Sequence, residues 1–265
     1  MPPTIEKRDG WGSISRSKDH SGWGRMGQFP TLNTRSEYCP NFAQTEYPYF
    51  PPLMGKLILP ELPEKDGFNA KAVIPFGVTT DHLYAAMKGF IDFLALIDTE
   101  LHGKEMGSLE GVMQQASFSN LVSEMMVAGI PKHCKTVVKN RYHNGHPDIL
   151  PAGKYPKDEA QYAGVDGIEI KASRYLKGWQ GHNPEDVWLM VFVFQSGRLG
   201  PKVKGTPAFK FLLVSGAQLD KTDWLFSGRS GDSRRTITAS VTKAGAAKMM
   251  ANWIYKCEEL REGKG

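Results

Sequence analysis

Two carboxylates and one ammonium group are spaced so that they could meet on one face of a β-sheet. Asp148 lies in the segment NGHPDILP, and Glu169 and Lys171 lie in the later segment GIEIKAS. Residues two apart in a strand share a face, so Glu169 and Lys171 would project together while Ile168 and Ile170 enter the core. The loop AGKYPKDEAQYAG between the two segments could form a hairpin that brings Asp148 beside them.

Such a set suits the hydrolysis of phosphodiesters with the help of a divalent metal ion. Asp148 and Glu169 supply the hard oxygen ligands that Mg²⁺ prefers, and the backbone carbonyl of Ile170 is a natural further ligand. The metal would activate a water molecule and stabilise the charge that develops on the phosphorus. Lys171 could orient that water, help to deprotonate it, or neutralise the transition state.

The elements that position this set begin with a long amphipathic helix. Thr79 or Thr80 can cap it, and Gly103 offers a stop. Its apolar residues recur at alternating steps of four and three, which predicts a packing seam against another helix of the same subunit or of a partner. The seam consists of Leu83, Met87, Phe90, Leu94, Ile97 and Leu101.

A second helix is predicted from about residue 108 to residue 128. Gly129 and Pro131 would end it, because neither residue favours continuation of a helix. Glu124 falls on the border of its apolar face, where a solvated charge would be the ordinary interpretation.

The pattern changes to strands after about residue 135. The segment DGIEIKAS alternates, AFKFLLVSGAQL is a further candidate, and residues 187–194 are almost continuously apolar, which is typical of a strand buried on both faces. A closing helix is predicted over about 243–255, with Thr242 as its cap. The order predicts an α/β fold with a central mixed β-sheet flanked by helices.

Composition sets broad limits on the protein. Lys and Arg outnumber Asp and Glu by 33 to 28, a net charge of +5 that is compatible with a polyanionic partner but does not by itself establish one. Three widely spaced cysteines do not indicate a disulfide framework. The N-terminus has no apolar stretch like that of a signal peptide, and no apolar run is long enough to span a bilayer. A cytoplasmic location without a membrane partner is therefore expected.

The pair Pro147-Asp148 followed by Glu169-Ile170-Lys171 resembles the signature of the PD-(D/E)xK nuclease superfamily. The resemblance covers residues 108–195 and implies a restriction-endonuclease-like core. It also implies that Asp148 and Glu169 hold the metal while Lys171 assists the attacking water. A helix before the motif often carries another acidic residue in this family, and Glu124 is placed for that role.

Two basic segments after the motif are candidates for contact with double-stranded DNA. Arg174 and Lys177 follow the Glu169–Lys171 strand closely, and Arg229, Arg234 and Arg235 lie in a Gly- and Ser-rich turn. Arginine can pair with guanine edges through two hydrogen bonds, and hydroxyl groups can hold phosphates. The alternative is a solvent-exposed hairpin tip whose charge serves solubility.

A local group of histidines and one cysteine raises a zinc site as an alternative. The group comprises His133, Cys134, His143 and His146. Its spacing matches no compact zinc pattern. No phosphate-binding loop of the GxxxxGK[ST] type is present, which argues against a nucleotide-driven motor.

The pattern favours a stand-alone type II restriction endonuclease. Residues 1–75 are predicted to form an irregular N-terminal arm, and residues 76–265 one catalytic domain. Enzymes of this kind typically act on palindromic sites as homodimers, because the symmetry of the protein then matches that of the DNA. A repair nickase or junction resolvase of the same fold, or a DNA-binding protein that does not cleave, are the alternatives.

Overall fold

The computed structural model describes residues 56–181, 183–197, 207–226 and 238–263. These ranges contain five α-helices: α1 (Thr80–Gly103), α2 (Leu109–Val112), α3 (Gln115–His133), α4 (Lys243–Ala251) and α5 (Glu258–Arg261). The first five strands are β1 (Val137–Lys139), β2 (Ile149–Pro151), β3 (Ile168–Ser173), β4 (Gln180–Gly181) and β5 (Val187–Gln195). The others are β6 (Lys210–Leu219), β7 (Trp224–Phe226), β8 (Ala239–Val241) and β9 (Trp253–Lys256).

A six-stranded mixed sheet forms the centre of the fold, in the order β1-β2-β3-β5-β6-β9. Strands β3 and β5 run parallel, whereas the other neighbouring pairs are antiparallel. A second sheet has the order β4-β8-β7. The predicted class, a mixed α/β fold with helices around a central sheet, is confirmed.

Strand β5 lies between two hydrophobic layers, as its continuous apolar sequence predicts. Met190, Phe192 and Phe194 face the layer that contains the buried side chains of α1 and α3. The intervening residues, Leu189 and Val191 among them, face a layer formed by α4 and the small sheet. Because successive side chains of a strand alternate, one strand joins both layers into a single core.

Helix α1 follows the predicted pattern. The side chain of Thr79 accepts a hydrogen bond from the backbone N–H of His82, and the helix ends at Gly103. Leu83, Met87, Phe90 and Leu94 belong to the buried cluster that also contains apolar side chains of α3. The last two residues of the predicted seam, Ile97 and Leu101, are only half-buried. The partner of the predicted seam is therefore a helix of the same chain.

The prediction of one helix over 108–128 is wrong in its interior and at its C-terminal end. The chain is extended at Met113 and Gln114, which separates α2 from α3. Helix α3 then continues past Gly129 and Pro131 to His133. Gly129 lies so close to α1 that an added Cβ would meet that of Ala86 at 3.1 Å, so this glycine permits close helix packing and does not act as a stop.

The predicted closing helix over 243–255 is also too long. Helix α4 ends at Ala251, and β9 then pairs with β6. The Asn252 side chain donates hydrogen bonds to the carbonyls of Gly216 and Val73, at 2.7 and 2.8 Å. Ile254 and Tyr255 are buried as strand residues. Trp253, Ile254 and Tyr255 are aromatic or β-branched residues, which favour a strand, and pairing with β6 places them in one.

The described part of the predicted N-terminal arm is held against the main sheet by backbone hydrogen bonds. Glu61 N–H donates to the carbonyl of Phe209 at 2.8 Å, and Asn69 N–H donates to that of Ile254 at 2.9 Å. The first 55 residues of the chain lie outside the described residues. Among the described helices, none has the length and apolar character required to cross a membrane.

Gly167, next to β3, provides a test of how tightly the β2–β3 hairpin is packed. An added Cβ would lie 2.3 Å from the carbonyl oxygen of Ile149 and 2.4 Å from Cγ of Pro147. We expect Gly167→Ala to lower the free energy of unfolding by about 1–3 kcal/mol, because backbone must move to relieve the overlap. Urea unfolding followed by circular dichroism measures this change.

Gly89→Ala is the matched control. Gly89 is an exposed position of α1 where an added Cβ meets nothing within 4 Å. Alanine there should raise the free energy of unfolding by roughly 0.5–1 kcal/mol, as expected for an exposed helix interior. Equal changes in the two variants would contradict the close packing inferred at Gly167.

Candidate active site

The β2–β3 hairpin brings Asp148 to the strand that carries the rest of the motif. Ile149 of β2 pairs with Ile168 of β3 in antiparallel register. Oδ2 of Asp148 accepts a hydrogen bond from the backbone N–H of Ile170 at 2.8 Å. The predicted hairpin is thus present, and this hydrogen bond fixes the carboxylate of Asp148 against β3.

Glu169 and Lys171 project from the same face of β3. The ammonium group of Lys171 forms an ion pair with Oε1 of Glu169. Ile168 and Ile170, by contrast, are fully buried in the core. The alternation predicted from the segment GIEIKAS is confirmed.

His146 and Glu185 complete a charged cluster around Glu169. Nδ1 of His146 lies 3.0 Å from Oε2 of Glu169, and Nε2 lies 2.9 Å from Oε2 of Glu185. The imidazole also lies parallel to the ring of Tyr162, with centroids 5.6 Å apart. Glu169 therefore has a cationic partner at each carboxylate oxygen, Lys171 at one and His146 at the other.

Sequence reasoning grouped His146 with residues of a disfavoured zinc site, placed these histidines near the DNA or on the surface instead, and missed Glu185. Glu185 stands two positions before β5, which runs parallel to β3 and next to it. The acidic residue ahead of the most apolar strand was a visible signal. That residue could be assigned to the site only once the order and direction of β3 and β5 were known, and the sequence did not provide these.

The two carboxylates of the motif have opposite pKa shifts. Burial, together with the negative charge of Glu169, raises the pKa of Asp148 to about 7 against the favourable effects of Lys171 and the N–H of Ile170. Burial also disfavours the ionised form of Glu169. Its contacts with His146 and Lys171 outweigh that effect and lower the pKa of Glu169 to about 2.

The two basic groups are held in their charged forms. Burial disfavours a charged Lys171, but the carboxylates of Glu169 and Asp148 outweigh it and raise the pKa of the ammonium group. Burial likewise opposes protonation of His146, yet Glu169 and Glu185 raise the pKa of the imidazole to about 9. At neutral pH the cluster therefore contains two cations beside the ionised carboxylate of Glu169 and a partly ionised Asp148.

The cluster faces a cleft of about 1100 Å³. Besides the motif residues, the cleft is lined by several polar and charged side chains, among them Asn120, Glu124, Lys139, Arg141, His143 and Asn183. Glu124 thus lines the same cleft as Asp148 and Glu169, as its position on α3 suggested. Its carboxylate lies 2.9 Å from the ammonium group of Lys139, and both side chains are largely exposed.

The donor set suits a hard cation that needs few protein ligands. Asp148 and Glu169 lie close enough for the charge of one to raise the pKa of the other. A divalent cation between them would relieve this repulsion. No group of three His, Cys, Asp or Glu side chains in the described ranges is arranged to hold a metal ion. Mg²⁺ usually keeps several waters and takes only one or two carboxylates, so the residues present fit it.

The other predicted site residues have different surroundings. Arg174 lies 2.6 Å from the carboxylate of Glu110 and stacks over the ring of Phe194, and it is absent from the lining of the cleft. Lys177 is exposed beyond the end of β3. Arg229, Arg234 and Arg235 lie outside the described residues.

Two members of the discounted zinc group have separate environments. Cys134 is buried, with its sulfur 3.0 Å from the hydroxyl of Thr136, whereas His133 is exposed at the end of α3. His143 and His146 both line the cleft.

Comparisons of the chain with protein-family models, with curated proteins and with solved structures gave no significant match. The chemistry of the site is therefore argued from its own residues.

The raised pKa of Asp148 predicts a pH-dependent effect of Asp148→Asn on stability in the presence of EDTA. A carboxyl group whose folded-state pKa lies above its unfolded value of 3.8 costs stability as the pH rises from about 4 to about 7. Asparagine removes that cost and can still accept the hydrogen bond from Ile170. We expect the variant to be more stable than the wild type by ~1–3 kcal/mol at pH 8.

The extra stability of Asp148→Asn should shrink towards zero near pH 4.5, where Asp148 of the wild type is protonated in the folded protein. Urea unfolding at both pH values measures the difference. Asp166→Asn is the control, because the pKa of that exposed carboxyl is lowered by Lys154 and loss of the pair should not stabilise the protein. A stabilisation of Asp148→Asn that is the same at both pH values would contradict the assignment.

Proposed function

We propose that the chain is a Mg²⁺-dependent endonuclease that hydrolyses phosphodiester bonds of double-stranded DNA. The observation that supports this most directly is the meeting of Asp148, Glu169 and Lys171 in one polar cleft. These are the residues that carry the resemblance to the PD-(D/E)xK superfamily, and sequence-distant segments supply them. If the motif had occurred by chance, Asp148 would have no reason to lie beside Glu169 and Lys171 in the folded chain.

Asp148 and Glu169 would hold the metal ion, with the carbonyl of Ile170 as a further ligand and Glu124 as an acidic residue of the same cleft. The bound ion would supply a water of lowered pKa and would stabilise charge on the phosphate. The hydrogen bond from the N–H of Ile170 orients Asp148 for this task. His146, held in turn by Glu185, restrains the carboxylate of Glu169 from the opposite side to Lys171.

Lys171 is best assigned to charge stabilisation. Its pKa is raised by the neighbouring carboxylates, so the ammonium form dominates at neutral pH. A charged amine cannot accept a proton from water, but it can orient the water and offset the negative charge of the transition state. This selects among the roles that the sequence leaves open for the lysine.

The substrate and assembly follow from the same proposal. A chain of this size has room for a catalytic core and recognition segments, which favours a type II restriction endonuclease that acts as a homodimer on a palindromic site. Digestion of genomic DNA followed by sequencing of the ends tests this. Ends that share one sequence support the restriction enzyme, whereas ends at nicks or branched junctions would indicate a repair enzyme instead.

The metal-holding role predicts that Asp148→Asn and Glu169→Gln each lower Mg²⁺-dependent cleavage by roughly 10³-fold or more. Each substitution keeps the shape of the side chain but removes an anionic ligand, and loss of several kcal/mol of transition-state stabilisation corresponds to that factor. Cleavage of a plasmid, analysed on agarose gels, measures the rate.

Asp166→Asn is the matched control for these variants. This exposed carboxylate lies on the same hairpin, where it pairs with Lys154 at 2.7 Å and does not line the cleft. Its loss should leave cleavage within about twofold of wild type. Wild-type cleavage by Asp148→Asn or Glu169→Gln would refute the assignment of the metal ligands.

The proposed role of Lys171 predicts that Lys171→Gln acts on the chemical step and spares binding. In Ca²⁺ the variant should bind a specific duplex about as well as the wild type, because the charge matters most when negative charge builds up in the transition state. In Mg²⁺ single-turnover cleavage should be slower by roughly 10²–10³-fold. Gel-shift titration and quenched cleavage of the same oligonucleotide give the two values.

Lys154→Gln removes an exposed ammonium group of the same hairpin and serves as the control. Lys154→Gln should change neither the affinity for the duplex in Ca²⁺ nor the rate of cleavage in Mg²⁺. A parallel collapse of binding in Lys171→Gln would identify the lysine as a phosphate anchor, and near-normal cleavage would remove it from the mechanism.

A further inference from the structure

Four exposed cations lie together at the end of α3 and along β1. They are Lys132, Lys135, Lys139 and Arg141, named here the basic track. All four line a groove of about 390 Å³. Lys139 and Arg141 also line the cleft that contains the charged cluster. The groove and the cleft are therefore adjacent, and the basic track leads from one into the other.

Buried neighbours fix the backbone of the basic track. Asn140 lies between Lys139 and Arg141, and its side-chain nitrogen donates to the carbonyls of Pro147 and Ala160 at 3.0 and 2.8 Å. The backbone N–H of Arg141 donates to the carbonyl of Asp158 at 2.9 Å. The two flanking cations are thus presented from a rigid segment, whereas their own side chains remain in solvent.

The charges of the basic track are only partly balanced by the described residues around it. Lys139 is paired with Glu124, but their side chains are 50% and 64% exposed, so the pair can exchange for another anion at little cost. Among the described residues, Asp158 is the one carboxylate that lines the groove. Lys132, Lys135 and Arg141 form no ion pair with any side chain in the described ranges.

The position of the basic track leaves it open to a large ligand. Strand β1 is the edge strand of the six-stranded sheet, so no strand of that sheet covers its outer side. A row of exposed cations, three of them without an ion pair among the described residues, suits an extended polyanion better than a small anion, because several phosphates can be contacted at once. Duplex DNA carries such a series of phosphate charges along its length.

We infer that the basic track binds the phosphate backbone of duplex DNA on one side of the cleaved bond. This inference rests on the proposed function in that it takes the cleft as the place of the scissile phosphate. The contacts are to phosphates and carry no base information, so they set the position and affinity of the DNA and leave sequence recognition to other residues. None of the four residues belongs to the basic segments that the sequence suggested for DNA contact.

The double variant Lys132→Ala, Lys135→Ala tests the inference, because these two residues line the groove and not the cleft. Binding of the full chain to a duplex in Ca²⁺ is measured by fluorescence anisotropy over a range of salt concentrations. Each lost phosphate contact lowers the slope of log K against log salt by about 0.9. We expect the slope to fall by about 2 and the affinity in low salt to fall at least tenfold.

The control is Lys71→Ala, Lys243→Ala, which removes the same charge from exposed positions on other elements. It should leave the slope nearly unchanged. Equal losses of affinity and slope in both double variants would show that net charge alone causes the effect, and would contradict a specific role of the basic track. Wild-type affinity and slope in the first variant would overturn it as well. Lys132→Gln and Lys135→Gln, tested singly, give the same information if the double variant does not fold.

Hydrolysis of bis(p-nitrophenyl) phosphate in Mg²⁺ separates this inference from the proposed function. That small diester cannot extend from the cleft into the groove, so it reports on the chemical step alone. An equal loss of its hydrolysis in the Lys132, Lys135 variant would assign the two lysines to the chemistry and overturn the track. If the wild type cleaves neither substrate but the Lys132, Lys135 variant shows the expected loss of slope and affinity, contact between the basic track and DNA stands and the nuclease proposal fails.

Discussion

The placement of Glu169 between Lys171 and His146 is the interaction on which the rest of the site depends. Glu169 is only 8% exposed, and a buried carboxylate without partners would cost several kcal/mol. The fold meets this requirement from three directions: Lys171 from the same strand, His146 from the segment before β2, and Glu185 behind the histidine. The charged cluster thus links β3 to the segments before β2 and β5.

The sheet around this cluster supplies the rigidity that such a site needs. Strand β5 is buried on both faces and pairs with β3 along its length, so the strand that carries Glu169 and Lys171 has little freedom to shift. The distribution of charge also suits such a site. Carboxylates are concentrated inside the cleft, where a divalent cation would neutralise them, and exposed cations lie at its border, where a phosphate backbone would pass. The two arrangements complement each other around a polyanionic substrate.

The sequence predicted the main elements but misplaced the ends of two helices. Helix α1 and strands β3, β5 and β6 have strong periodicity of their own, and the structure contains them as expected. The errors lie where a distant contact decides the local conformation. Gly129 and Pro131 look like a helix end, yet packing of Gly129 against Ala86 of α1 keeps α3 intact. The segment after Ala251 is predicted as part of the closing helix, but pairing of β9 with β6 makes it a strand.

The sequence by itself determined the chemical types at the centre of the site and their shared face, because the two-residue repeat of a strand is a local property. It therefore identified Glu169 and Lys171 as neighbours and proposed a hairpin for Asp148. Only the tertiary structure decided that His146 and Glu185 join them, since this depends on the order and direction of β3 and β5. The tertiary structure also paired Arg174 with Glu110 and aligned the basic track with the cleft. Contacts between distant segments arise from global packing, which no local pattern of residues encodes.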